Sequence, residues 1–168
     1  VRALLDNDRA KWEVMVIDNL SSGKPWNKWP EARYVTVALE ARLKEDTVVG
    51  TFVKEFNPDV IFHLAAVPRV SYSVDYPYET TQANLLSTMA VLDAARKHGK
   101  HNIRVVYTSS SSIYGGADLL PTPTDYPADP KSPYAMQKWQ DEEWCRLYAN
   151  FYKLDVVCLR YFNVFGKH

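Results

Sequence analysis

Apolar residues in this chain recur at two spacings, and the switches between them predict its elements. Runs rich in β-branched and aromatic residues predict five strands, at residues 14–17, 34–37, 60–64, 103–108 and 156–159. Helical spacing fills the intervals. Residues 47–56 carry Val48, Val49, Phe52, Val53 and Phe56 as one stripe, and Asn57-Pro58-Asp59 breaks it. Residues 79–98 carry Leu85, Leu86, Met89, Leu92 and Ala95, with Gly99 as the closing C′ residue. Residues 133–152 place Met136, Trp139, Glu143, Leu147 and Phe151 near one face, and Trp144, Tyr148 and Tyr152 widen its apolar girth. Residues 1–8 read as the end of a helix, with Val1, Leu4 and Leu5 on one side. Residues 68–77 and 119–130 read as loops.

Strands that alternate with helices imply an α/β fold, a doubly wound parallel sheet of the Rossmann-like kind. The run from Val60 to Val67 is continuously apolar, which predicts a strand covered on both faces. With 168 residues and 46% hydrophobic content, the chain suffices for one domain with a real core. Lys plus Arg and Asp plus Glu balance at 20 each, so no bulk field favours nucleic acid or an anionic membrane. No apolar run is long enough to span a bilayer, and no secretory leader pattern opens the chain. The cysteines Cys145 and Cys158 lack metal spacing and read as buried thiols of a reducing, cytoplasmic compartment.

The chemistry concentrates between Ser109 and Lys138. Ser109 to Ser112 end a hydrophobic strand, where open α/β sheets hold ligands. Ser132 suits a helix cap and Pro133 a first helical position, which sets Tyr134 and Lys138 at i and i+4 on one face. An ammonium one turn from a phenol is expected to lower the pKa of that phenol from about 10. The product is a general base, with a serine hydroxyl to orient the same oxygen. Taken singly, such a pair is common on helices and a serine run is an ordinary loop; their joint placement is what carries the reading. His63 lies inside an apolar strand and reads as a satisfied core residue.

Three segments resemble one family: Ser109-Ser-Ser-Ser-Ile-Tyr-Gly115, Ser132-Pro-Tyr-Ala-Met-Gln-Lys138 and Leu159-Arg-Tyr-Phe-Asn-Val-Phe-Gly166. In this order they are similar to the extended short-chain dehydrogenase/reductase superfamily, and within it to NAD-dependent nucleotide-sugar epimerases of the UDP-glucose 4-epimerase type. The resemblance implies that Ser110, Tyr134 and Lys138 are catalytic. It implies NAD contacts at Asp18, Asn19, Leu20, Leu64, Ala65, Ala66, Asn84, Tyr134, Lys138 and Phe162. Substrate contacts fall on Ser110, Ser111, Tyr134 and Asn163, and no metal is expected. The carboxylate of Asp18 would meet ribose hydroxyls and repel a 2′-phosphate, hence NAD rather than NADP. Where the family carries an acidic residue near the adenine, this chain reads Ala38-Leu39-Glu40-Ala41. The loop at 68–77, with Arg69, would lie over the nicotinamide.

The implied reaction is epimerisation of a UDP-hexose at C4 through a transient 4-keto sugar, in a homodimer joined through helices 79–98 and 133–152. The rivals are a nucleotide-sugar 4,6-dehydratase or decarboxylase, and a non-catalytic Rossmann-like fragment. The former families add an acidic residue after the serine, where this chain has Ser111 and Ser112. The resemblance also places a first strand with a glycine-rich turn before Val1 and a substrate domain after His168. Residues 1–168 are then a partial NAD-binding domain, expected alone to bind NAD weakly and to have little or no activity.

Overall fold

The computed structural model describes residues 1–6, 11–42, 46–99 and 103–165. All five expected strands are present: β1 (Met15–Asp18), β2 (Arg33–Thr36), β3 (Val60–His63), β4 (Arg104–Ser110) and β5 (Asp155–Tyr161). Every pairing is parallel. The strands form two sheets rather than one, a pair β1-β2 and a triplet β3-β4-β5. Ile17 of β1 and Ile61 of β3 nevertheless pack on the same core cluster, so one hydrophobic interior serves both.

The helices are α1 (Arg2–Leu5), α2 (Val48–Phe56), α3 (Val70–Asp75), α4 (Pro77–Thr81), α5 (Ser87–His98) and α6 (Pro133–Tyr152). The expected helix over 1–8 is described only as α1; residues 7 and 8 lie outside the described residues, as does Gly166. Helix α2 begins at Thr47, whose hydroxyl accepts from the Gly50 amide at 3.0 Å, and ends on Asn57 in the left-handed region. Its Val49 and Val53 meet Val91, Leu92 and Ala95 of α5 in the core. Helix α6 is capped as expected, with Ser132 Oγ accepting from the Ala135 amide at 3.1 Å and Pro133 in the first position.

Four expectations need correction. The loop at 68–77 contains α3. The single helix over 79–98 is α4 and α5 joined by a π-turn, Gln82–Leu86. The extra residue in that turn rotates the inward face, so Asn84, Ser87, Thr88, Val91 and Leu92 are buried while Leu86 is exposed. Gly99 closes α5 with φ −63, not with a left-handed turn. A Cβ there would lie 2.7 Å from the Ala95 carbonyl oxygen, so close approach explains the glycine. Finally, β3 is covered on one face only. Helices α2, α5 and α6 contribute to the core on the side of Val105 and Tyr107, and Phe62 on the other side is 52% exposed.

Strand β4 alternates cleanly: Val105, Tyr107 and Ser109 are buried beneath the helices, while Val106, Thr108 and Ser110 are half-buried on the opposite face. Strand β4 then turns through a 3₁₀ segment, Ser111–Tyr114, into Gly115 at φ 65 and Gly116 at φ 95. A Cβ on Gly115 would stand 1.9 Å from the Asp129 carbonyl oxygen, whereas one on Gly116 would meet nothing within 4 Å. Gly115→Ala is therefore expected to cost about 3 kcal/mol, and Gly116→Ala only the ~1 kcal/mol of a left-handed alanine. Urea denaturation of both variants checks the order; equal midpoints would contradict it.

Candidate active site

Helix α6 presents a buried face that is mostly polar. Tyr134, Gln137, Lys138, Asp141, Glu142, Cys145 and Tyr148 point inward, while Met136, Leu147 and Phe151 are exposed. The expected apolar face of this helix is thus the outer one. The reason is that each inward polar group finds a partner. The Tyr134 amide donates to Ser73 Oγ of α3 at 3.0 Å. Gln137 Nε2 donates to the hydroxyls of Thr80 and Thr81 at 3.0 Å each, and its Oε1 accepts from Asn84 at 2.7 Å. Lys138 Nζ donates to the Thr108 carbonyl at 2.8 Å. Tyr107 donates to Asp141 Oδ2 at 2.6 Å. Glu142 accepts from Ser109 Oγ at 2.5 Å and pairs with Arg160 Nη2 at 2.7 Å.

This seam brings the expected catalytic residues together. Ser110, Ser111 and Tyr134 line one cavity of about 490 Å³ with Tyr161, Phe162 and Asn163. Ser110 Oγ caps the 3₁₀ segment, accepting from the Ser112 amide at 3.2 Å and from Ser112 Oγ at 2.9 Å. Phe162 lies against Tyr114, ring centroids 6.4 Å apart. Lys138 Nζ sits 5.9 Å from the Tyr134 ring centroid and 4.8 Å from that of Tyr107.

The electrostatics differ from expectation. The Tyr134 phenol is pushed above its ordinary range, first by burial; the Ser110 hydroxyl pulls it back and the Asp141 carboxylate adds to the rise. Burial also depresses Lys138, and Asp141 opposes that. Desolvation thus outweighs any field that Lys138 imposes on the phenol, because the ammonium is shared with Thr108 and the Tyr107 face. In this state Tyr134 is a neutral phenol at pH 7.

Most of the residues expected at the cofactor lie outside the lining of this cavity. Asp18 ends β1 of the two-stranded sheet and Asn19 and Leu20 follow it, outside the cavity lining. Asp18 Oδ1 accepts from the Leu20 amide at 2.7 Å, Asn19 Oδ1 accepts from the Ser21 amide at 3.0 Å, and Leu20 adopts φ 56. Leu64 and Ala65 are exposed just past β3, with Ala66 half-buried. Asn84 is buried and committed at both ends, accepting from the Val67 amide at 2.7 Å while donating to Gln137. It anchors the segment after β3 rather than presenting a free amide. His63 is buried, paired with Thr88 Oγ1 at 3.0 Å, and lowered to about 3 by burial and then by Lys138, so it stays neutral. Glu40 is half-buried, Arg69 is exposed, and Trp26 and Trp29 lie exposed on their loop. Cys145 is buried as expected, but Cys158 is exposed. Among the described residues no group of three or more His, Cys, Asp or Glu is placed to hold a metal, and no helix is long and apolar enough to cross a membrane.

Sequence reasoning missed Gln137, Asp141, Glu142 and Arg160. The signal was available: Tyr134, Gln137, Lys138, Asp141, Glu142 and Cys145 recur at three- and four-residue steps, a polar stripe on the face that Tyr134 and Lys138 already define.

A parallel α/β fold with Ser110 at the end of β4 and Tyr134 and Lys138 one turn apart at the start of α6 has the layout of the nucleotide-binding α/β class. The chain belongs to the NAD dependent epimerase/dehydratase family, whose model matches residues 1–168. It is 37% identical over 155 residues to the UDP-glucose 4-epimerase of Mycolicibacterium smegmatis, covering 91% of this chain and 49% of that one. The UDP-glucose 4-epimerase of Thermotoga maritima, solved with UDP-glucose, superposes with a TM-score of 0.85 at 30% identity, over 92% of this chain and 49% of that one. That of Thermus thermophilus, solved with NAD, gives 0.82 at 34% identity, over 92% and 48%. The chain spans about half the length of the curated relatives it matches.

The pair Arg160–Glu142 ties β5 to α6 with both side chains largely buried. Arg160→Met leaves Glu142 without its cation and is expected to cost about 2–4 kcal/mol; adding Glu142→Leu recovers much of it. Urea unfolding of the single and double variants measures this, and a double variant no better than the single contradicts it.

Proposed function

We propose that the protein carrying this chain interconverts UDP-hexoses at C4 through a transient 4-keto sugar, with NAD as cofactor. One observation carries the reading: the Tyr134 phenol and the Ser110 hydroxyl open into the same cavity, with Lys138 buried behind them. The residues suit the cofactor in two places. Asp18 is an exposed carboxylate at the end of β1, fit for a ribose diol, and Ala65 is an exposed one-carbon side chain after β3, fit for a flat ring. When bound, NAD supplies the acceptor and donor of hydride.

The chain's own residues handle the proton. Tyr134, neutral in the resting site, must first give up its own proton; as the phenolate it takes the proton of the sugar hydroxyl and later returns it, and Ser110 orients that oxygen by a hydrogen bond. Ser110 also stabilises the phenolate form, which the buried site otherwise disfavours. Lys138 would hold the nicotinamide ribose, and Phe162 would pack against the bound cofactor. Ser111 and Asn163 meet the sugar nucleotide in the cavity. Among the described residues that line this cavity none is acidic, and elimination or decarboxylation needs a further acid or base. That favours epimerisation over the dehydratase or decarboxylase reading. A non-catalytic fragment has no use for the convergence of Ser110 and Tyr134.

A homodimer accompanies this reading. Leu86, Met136, Leu147 and Phe151 leave apolar surface on the outer sides of the π-turn and α6, with Phe151 75% exposed. The two unpaired thiols suit the cytoplasm. The isolated chain is proposed to bind NAD weakly.

In a protein that joins this chain to the segments its relatives carry, UDP-galactose is expected to yield UDP-glucose without NADH release. Tyr134→Phe should slow this about 10²–10⁴-fold. A 6-deoxy-4-keto product, or no turnover in the parent, overturns the assignment. Titration calorimetry on the 168-residue chain checks the cofactor affinity; tight NAD binding contradicts that part. Sedimentation velocity checks the dimer: Phe151→Glu should yield monomer, and a monomeric parent removes the proposal.

A further inference from the structure

Lys138 is only 3% exposed, and its ammonium donates to a neutral carbonyl, Thr108 O at 2.8 Å. A buried ammonium without a counter-charge sheds its proton easily. Below it the ring of Tyr107 offers a π-face 4.8 Å from Nζ. The hydroxyl of that same ring donates to Asp141 Oδ2 at 2.6 Å, a short charge-assisted bond. Asp141 is fully buried, and its Oδ1 has no hydrogen-bond partner among the described residues. Packing does not account for a carboxylate here.

We infer that Asp141 is a positioning residue for Lys138: acting through the Tyr107 phenol, it supplies the buried counter-charge that keeps the ammonium charged and directed at Thr108 O beneath Tyr134. The sequence stacks the three groups at positions 134, 138 and 141, one face of α6. Glu142, the other buried carboxylate one turn from Lys138, is committed to Arg160 and Ser109, which leaves Asp141 for this task. On β3, His63 is held neutral by burial. On β4, Tyr107 is pushed far up, first by burial and then by Asp141 itself, so it remains a donor. On α5, Thr88 contributes a hydroxyl that donates to the Asn84 carbonyl at 3.0 Å. On β5, Arg160 is committed to Glu142, and Cys158 approaches Cys145, whose thiol is raised by that neighbour and by burial. Asp141 itself is raised to about 6, first by burial, with the Tyr107 bond, the Lys138 charge and the nearby Thr88 hydroxyl pulling it back. It is therefore mostly ionised at neutral pH, and its charge opposes both the loss of the Lys138 proton and the ionisation of Tyr134.

The inference rests on Lys138 and Tyr134 as the reactive pair of the proposed epimerisation, but it is read without turnover. In the 168-residue chain labelled with ¹³Cε-lysine, the Lys138 resonance is the one lost in Lys138→Met. Asp141→Asn should move its titration to lower pH, with a severalfold larger neutral fraction at a given pH. Asp141→Glu, which keeps the charge, should restore most of the parent behaviour. Tyr107→Phe keeps the ring and removes the hydroxyl that holds the carboxylate; it should shift Lys138 the same way by less, and serves if Asp141→Asn does not fold. A Lys138 titration unchanged in Asp141→Asn or Tyr107→Phe overturns the inference. So does an equal shift in Asp141→Asn and Asp141→Glu, which would mark lost packing rather than lost charge. An inactive enzyme whose Lys138 titration shifts as expected removes only the proposed reaction; an active one with no shift removes only the role of Asp141.

Discussion

The constraint on which the structure depends is the requirement that polar groups buried between α6 and the strands be paired. Five charged or hydrogen-bonding side chains of one helix, Tyr134, Gln137, Lys138, Asp141 and Glu142, are turned into the interior. Each buried donor or acceptor left without a partner costs on the order of 1–3 kcal/mol. A greasy interface would let the helix slide by a turn at modest cost. This one does not, because Ser73, Thr80, Thr108, Tyr107 and Arg160 each wait at a different height for a different group. The register that places Tyr134 beside Ser110 is therefore set by partners that never reach the cavity.

The same burial governs reactivity. Low polarity raises a phenol and lowers an amine, and here both tendencies act on neighbouring residues. A tyrosine and a lysine one turn apart do not make a phenolate by proximity alone. The ammonium has other claims on it, from a carbonyl oxygen and an aromatic face. The resting site is accordingly a set of neutral or balanced groups.

Much of this was legible in the chain. Five strands and the 133–152 helix follow from period and capping, because Ser132, Pro133 and the β-branched runs act locally. The Ser-Tyr-Lys set was legible because a strand end and a helix start fix its geometry. What periodicity hid was the sense of α6. Met136, Leu147 and Phe151 look like a core stripe, yet they face outward, since the inward places are taken by polar residues whose partners sit 18 to 61 positions away. Local spacing carries no information about such distant pairs. The division into two sheets was equally invisible: five strand patterns state how many strands exist, not which edges meet. Nor does composition reveal that Asn84 reaches Val67.

The π-turn at Gln82–Leu86 gives that last contact its geometry. A spiral that carries one surplus residue has its length counted. Deleting one position there would restore an ordinary α-helix and leave the faces on either side nearly where they are, because the wider turn already absorbs the surplus residue. Asn84 would then release both the strand mouth and Gln137 in a single step. The wide turn thus matters for where it aims one amide, not for how the helices beside it are seated.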